Sequence, residues 1–180
     1  MKYLIKYFLL LLPATPLALL AQSNKEELLD WSDTRKLTWA DYKANPDPDS
    51  DAAASTTTYL VIDYNITSRS FSYKIESRFS KTHSWGLHKT EYILSHEQGH
   101  FDIAEIFARK LNKKMSEYNF NNKTYQKNLQ KIYDEVTKEK EDLQNNYDNE
   151  TNHSIRKEEQ AQWLKKIKLL LEEYAAWAEY

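Results

Sequence analysis

Two histidines four positions apart, with a glutamate directly after the first, lie in the stretch Leu94 to Glu105 (LSHEQGHFDIAE) and are the residues here best suited to chemistry. On a helix this spacing puts His96 and His100 one turn apart on one face, close enough for both imidazoles to reach a single ion. Glu97 lies about 100° round from His96, beside such an ion rather than on it. A water between cation and carboxylate then faces a Lewis acid and a base at once. This is the H-E-x-x-H arrangement of zinc hydrolases, in which the glutamate takes a proton from water attacking a carbonyl and passes it to the leaving amine. The rival reading is a pair of core histidines bonded to their neighbours. Gly99 argues against it, because a mid-helix Gly costs about 1 kcal/mol relative to Ala and the chain has only two glycines. One placed between the histidines suggests the close approach of another backbone or a substrate, though tight packing explains it equally well.

A catalytic zinc takes three protein ligands and keeps a fourth position for water. The same helix does not supply the third. Its next same-face positions, Ile103, Ala104 and Phe107, carry no donor atom, and Glu105 lies about 140° round from His100, where it serves structure or supports a ligand. His88 is eight residues before His96, roughly 12 Å along the axis. That leaves His83, His153 or a carboxylate from another element. With no cysteine in the chain, a tightly held metal must use histidine and carboxylate.

The elements that must position these residues follow from periodicity. Tyr92, Ile93, His96, His100, Ile103, Phe107, Leu111, Met115 and Tyr118 recur at three and four residues, which predicts an amphipathic helix from about Lys89 to about Tyr118 with both histidines on its buried side. Before it, Thr56 to Thr67 and Ser70 to Ser80 are rich in β-branched and aromatic residues and read as a hairpin turning at Thr67 to Arg69. Its outer strand offers backbone groups to which an extended peptide could pair, unless the N-terminal segment covers that edge. Further upstream, a short strand is expected at Lys36 to Trp39, with Trp31 and Trp39 capping the core. Asp47, Asp49 and Asp51 begin like a calcium loop, but Ala52 and Thr58 stand where Gly and Glu are needed, so Asn45 to Ser55 reads as a solvated turn.

After the motif helix, Leu129, Ile132, Val136 and Leu143 predict a second one over Thr124 to about Gln144. Asn145 to Ser154 (NNYDNETNHS) reads as a polar loop carrying His153. From Ile155, the stripe Trp163, Ile167, Leu170, Tyr174 and Trp177 predicts a last helix packed on the core. No internal repeat is evident.

The N-terminus, Met1 to Ala21, reads as an export signal: Lys2 and Lys6, then an apolar run from Tyr7 to Leu20 broken by Pro13 and Pro16, short of the roughly 20 residues a spanning helix needs. Residues 22–180 then form one domain in the periplasm or outside the cell, with no membrane span once the signal is removed. The absence of cysteine removes a lipid-anchoring thiol and a disulfide framework. A net charge of −2, with both signs mixed along the helices, provides no electrostatic footprint for nucleic acid.

HEQGHFDIAE, the preceding Ser84-Trp85, the LTW of Leu37 to Trp39, and YDNETNH followed by Gln162-Trp163 together resemble a bacterial family of uncharacterised function regarded as secreted zinc-dependent proteases. The likeness covers nearly all of residues 22–180. It implies that His96 and His100 are the metal-binding pair and Glu97 the catalytic glutamate, and it puts His153 where a third ligand is expected. Ser154 stands where the family often has Gly. The resulting expectation is an α+β, zincin-like single domain with a small antiparallel sheet or hairpin, an active-site helix and two further long helices. It would hold Zn2+ through His96, His100 and His153 and cleave a peptide or protein substrate. Tyr147, close in sequence to His153, is the expected oxyanion donor, with His83 or His88 behind it, and Asp102 or Asp148 is expected to orient a ligand imidazole. Two other classes compete: a zinc-binding envelope module that does not cleave, and a metal-free helical interaction protein. Oligomeric state is not legible.

Overall fold

A computed structural model describes residues 25–67 and 70–180, so the export signal expected at Met1 to Ala21 lies outside the described residues. The chain runs β1 (Leu28–Asp30), a 3-10 turn (Trp39–Asp41), β2 (Ala54–Ser55), β3 (Thr58–Ile66), β4 (Phe71–Ser80), β5 (Trp85–Gly86), α1 (Glu91–Ser116), α2 (Tyr125–Thr151), α3 (Lys157–Glu173) and a closing 3-10 turn (Ala175–Trp177). This is an α+β architecture: a small antiparallel sheet followed by three helices. Among the described residues no helix is long and apolar enough to cross a membrane.

The hairpin forms where alternation of β-branched and aromatic residues favours it, with Ile66 opposite Phe71 and Thr58 opposite Phe79. β4 is the middle strand, because β1 pairs with its far end, Leu28 opposite Ser80. The N-terminal segment therefore covers part of β4, whereas the free edge of β3 faces α2, where the Tyr133 hydroxyl donates to the Leu60 carbonyl at 2.9 Å. β2 and β5 form a separate two-stranded ladder.

The strand expected at Lys36 to Trp39 is replaced by the turn at Trp39–Asp41. The cause is local. Asp41 Oδ2 accepts from both the backbone N–H of Thr38 (3.0 Å) and its hydroxyl (2.9 Å), a cap that competes with extended pairing. The polar stretch Asn145 to Thr151 is the second difference: it continues α2 rather than forming a loop, because Tyr147 and Thr151 extend the buried face already set by Leu129 and Val136.

Helix α1 is the axis of the molecule. One side packs, through Ile103, Phe107, Leu111 and Met115, into a core shared with Leu60 and Ile75 of the sheet and Val136, Tyr147, Trp163 and Ile167 of the other helices. Its opposite side, Phe101 and Ala104, meets Leu37, Tyr42 and Phe79, with Trp31 and Trp39 packed over them. Polar ties fix that second contact: the Leu37 N–H donates to Gln98 Oε1 and the Trp31 indole to Asp102, each at 2.8 Å. Midway along the helix Glu105, fully buried, accepts from Arg109 at 2.8 Å and from the Tyr180 hydroxyl at 2.5 Å, fastening the C-terminus. Glu105 is thus structural, as its helical angle indicates.

Burial alone would raise the pKa of Asp41, but hydrogen bonds from Arg35, Thr38 and Lys81 outweigh it and bring the carboxyl to about 2, from an ordinary 3.8. A depressed carboxylate stabilises the fold above its unfolded pKa, and that stability is lost as pH falls through the folded one. Asp41→Asn should therefore cost about 2 kcal/mol at pH 7. The gap from wild type, read by denaturant unfolding, should close between about pH 4 and pH 2; a gap independent of pH would contradict this account.

Candidate metal centre

Thr90 starts α1 by accepting the Ile93 N–H at its hydroxyl, 3.2 Å away, and one and a half turns later His96 emerges on the side facing α2. His96 and Glu97 are only 3% and 4% exposed. His100 follows one turn on, its ring 4.9 Å from that of His96 and nearly perpendicular to it.

Helix α2 supplies the facing residues. Tyr147 is fully buried and stacks on the His96 ring at 4.4 Å, while its hydroxyl donates to the His96 carbonyl at 3.2 Å. The same phenol explains Gly99. A Cβ built there would stand 2.6 Å from the Tyr147 hydroxyl oxygen and 2.9 Å from Cζ, so the glycine is required by tight packing rather than by a substrate. Gln144 grips His100 at two points: its Nε2 donates to the His100 carbonyl at 3.0 Å, and its Oε1 accepts from His100 Nδ1. Because the amide nitrogen is committed to a carbonyl, the amide oxygen must face the ring. Nδ1 therefore keeps a proton in either charge state, and in the neutral ring it is Nε2 that holds the lone pair.

Three donor atoms converge as a result. His96 Nε2 lies 3.1 Å from Asp148 Oδ1, His100 Nε2 lies 3.0 Å from that oxygen, and the two Nε2 atoms are 3.2 Å apart. Ligands about 2.0–2.1 Å from a tetrahedral zinc stand roughly 3.3 Å from one another, so the triangle matches what one such ion requires. The donor chemistry, two imidazoles and one carboxylate, matches as well. His96 Nδ1 is buried with no hydrogen-bond partner.

The electrostatics here are those of an imidazole–carboxylate pair, His100 with Asp148. Burial would lower the pKa of His100, but hydrogen bonding to Asp148 and the charges of Asp148 and Glu97 raise it to about 8. Burial would raise Asp148, but hydrogen bonds from His100 and His96 hold it well below the ordinary carboxylate range.

The sequence-derived candidates separate here. His96, Glu97 and His100 line a cleft of about 740 Å³, together with Asp148 and His153. His153 sits at its rim with the side chain 62% exposed and Nδ1 3.6 Å from Asp148 Oδ1, so it is Asp148 that stands within the triangle. Tyr147 does not fit the role of an oxyanion donor, since its hydroxyl is buried beneath the histidines and committed to a carbonyl. Neither His83 nor His88 lines the cleft; His83 is held by Glu26 at 2.8 Å. Asp102 serves Trp31 and Gln98 instead of a ligand imidazole.

Past Thr151 the backbone turns through three successive left-handed residues, Asn152 (φ 48°), His153 (φ 50°) and Ser154 (φ 72°). For residues with a Cβ this conformation costs on the order of 1–2 kcal/mol each. It is held by the His153 N–H donating to the Asp148 carbonyl at 2.9 Å and the Arg156 N–H to the Thr151 carbonyl at 2.8 Å. The strain is spent where it brings His153 back over Asp148.

Gln144 carried no mark in sequence reading. Its spacing of four from Asp148 would have disclosed it had α2 been extended past residue 144.

A family model described as a bacterial protein of unknown function (DUF922) matches residues 29–154, a span that includes both histidines of the helix, Asp148 and His153. No curated protein and no solved structure matches the chain.

A Gly→Ala change inside a helix ordinarily gains about 1 kcal/mol. Gly99→Ala should instead lower stability by about 1–3 kcal/mol, because Tyr147 must move, and thermal unfolding will read the sign directly. A stabilised variant would show that the Tyr147 contact is loose.

Proposed function

This chain belongs to the DUF922 family of bacterial proteins of unknown function, and for it we propose a zinc-dependent peptidase activity in an exported protein. The observation that carries the proposal is the triangle of His96 Nε2, His100 Nε2 and Asp148 Oδ1 beside the Glu97 carboxylate, which lines the same cleft and has no hydrogen-bond or ion-pair partner among the described residues.

In this reading His96, His100 and Asp148 hold Zn2+. When bound, the ion supplies Lewis acidity toward a carbonyl oxygen and acidifies a water. The chain's own residues do the rest. Glu97, on the turn that carries His96, takes a proton from the attacking water and delivers it to the leaving amine. Gln144 keeps His100 in the tautomer whose lone pair faces the cation, and Tyr147 fixes the plane of His96. Trp85 and the segment Ala52 to Thr58 form the wall opposite α2, leaving a cleft into which an extended peptide fits. His153, exposed at the rim, takes over from Tyr147 the part of donor to the developing negative charge. A peptide or protein substrate in the periplasm or outside the cell suits the expected export signal.

Glu97→Gln is nearly isosteric, so it should retain zinc and fold while losing roughly 10²–10⁴ in peptide hydrolysis. Cleavage unchanged in that variant would reduce the protein to a metal-binding module. Zinc must also displace the proton shared by His100 and Asp148, so zinc affinity measured by competition with a chelating dye should fall as pH drops below about 8. An affinity flat between pH 8 and pH 6 would show that no such proton is released.

A further inference from the structure

The cleft wall formed by α2 contains a charge that the proposed chemistry does not use. Lys140 lines the cleft one helical turn before Gln144 and two before Asp148. It is the only lysine or arginine along that lining. Three other half-buried ammonium groups are paired with carboxylates, Lys81 with Asp41 at 3.1 Å, Lys114 with Glu135 at 3.2 Å, and Lys110 with Glu139, and a fourth, Lys113, lies over the Trp177 ring at 4.6 Å. Lys140 is half-buried yet makes no hydrogen bond or ion pair among the described residues. The acid whose charge it feels is its chain neighbour Glu141, and burial pushes its pKa below the ordinary lysine value. A partly desolvated ammonium that lines an open cleft and is paired with no side chain among the described residues is suited to an anion brought from outside the chain.

We infer that Lys140 is a specificity residue that binds a carboxylate of the substrate, so that the cleft takes acidic peptides. This inference rests on the peptidase reading and narrows it. Lys140 stands eight residues before Asp148, about 12 Å along the helix, and its side chain spans part of that distance. At roughly 3.3 Å per extended residue, the recognised carboxylate lies two or three residues from the bond at the metal triangle, as an acidic side chain or the peptide's own C-terminus. Glu141 and Asp47, which also line the cleft, repel the same carboxylate and confine it to the position where the Lys140 ammonium dominates.

The test uses Ala/Ser octapeptides in which one glutamate is walked through every position, with a matching glutamine set. Binding to zinc-loaded Glu97→Gln protein is measured by calorimetry, and cleavage by wild type is measured by mass spectrometry. Glutamate at one or two adjacent positions should bind at least roughly tenfold more tightly than glutamine. The preference should vanish in Lys140→Met, which keeps the aliphatic stem, and survive in Lys140→Arg. Equal binding of the two sets, or a preference that persists in Lys140→Met, overturns the inference. The two proposals fail separately. Cleavage without acidic preference removes the role of Lys140 and leaves the peptidase standing, whereas Lys140-dependent binding with no cleavage leaves the carboxylate site and removes the hydrolase.

Discussion

The contact between Gly99 and Tyr147 sets the distance at which two helices face each other, and everything at the candidate centre depends on that distance. With hydrogen as the side chain at residue 99, the phenol lies against the α1 backbone between the two histidines. From there it stacks on one ring and meets the edge of the other at 5.0 Å. Tyr147 is followed directly by Asp148, so the residue that fixes the approach also delivers the carboxylate. Gln144, one turn earlier, works from the same helix face. A packing constraint between apolar surfaces thus becomes a constraint on three donor atoms.

Around that contact the fold spends its polar groups on holding α1 still. Asp102 and Gln98 tie its outer side to the N-terminal segment, and Glu105 with Arg109 ties its middle to Leu171 and Tyr180. Each of these carboxylates is satisfied by donors and has no share in the cleft. Asp148 and Glu97 are the exceptions. One is shared between two imidazoles, and the other is left without a donor, which is the division of labour that the proposed ligand and proton acceptor require. The left-handed run at Asn152 to Ser154 belongs to the same design, because a relaxed helix end would carry His153 away from the triangle. Ser154 adopts a positive φ, a conformation that favours Gly, so the loop geometry is kept without the residue that would make it easy.

Much of this was legible in sequence, and where it was not the reason is physical. The H-E-x-x-H spacing and the apolar period of α1 point to the same face, so the histidine pair and its burial follow from pattern alone. The β3–β4 hairpin is equally plain, since alternation over two runs admits few other pairings. Asn145 to Thr151 misleads because its buried positions are Tyr147 and Thr151, side chains that also suit a loop; taken as helix, they continue the face of Val136 and Leu143. That misreading hid Gln144 and pointed Tyr147 toward the cleft instead of beneath it. The role of Asp148 depends on the rotation of one helix against another, which no local period encodes. The turn at Trp39–Asp41 was masked by β-favouring residues whose capping interaction is the stronger term.

The proposed chemistry requires His96, His100 and Asp148 together to grip one divalent cation. Metal analysis of the purified protein, loaded with zinc and then desalted, tests this most directly. It should return about one zinc per chain, with little retained in His96→Ala or Asp148→Ala. Wild-type protein that keeps no zinc, or that keeps it undiminished in both variants, would contradict it.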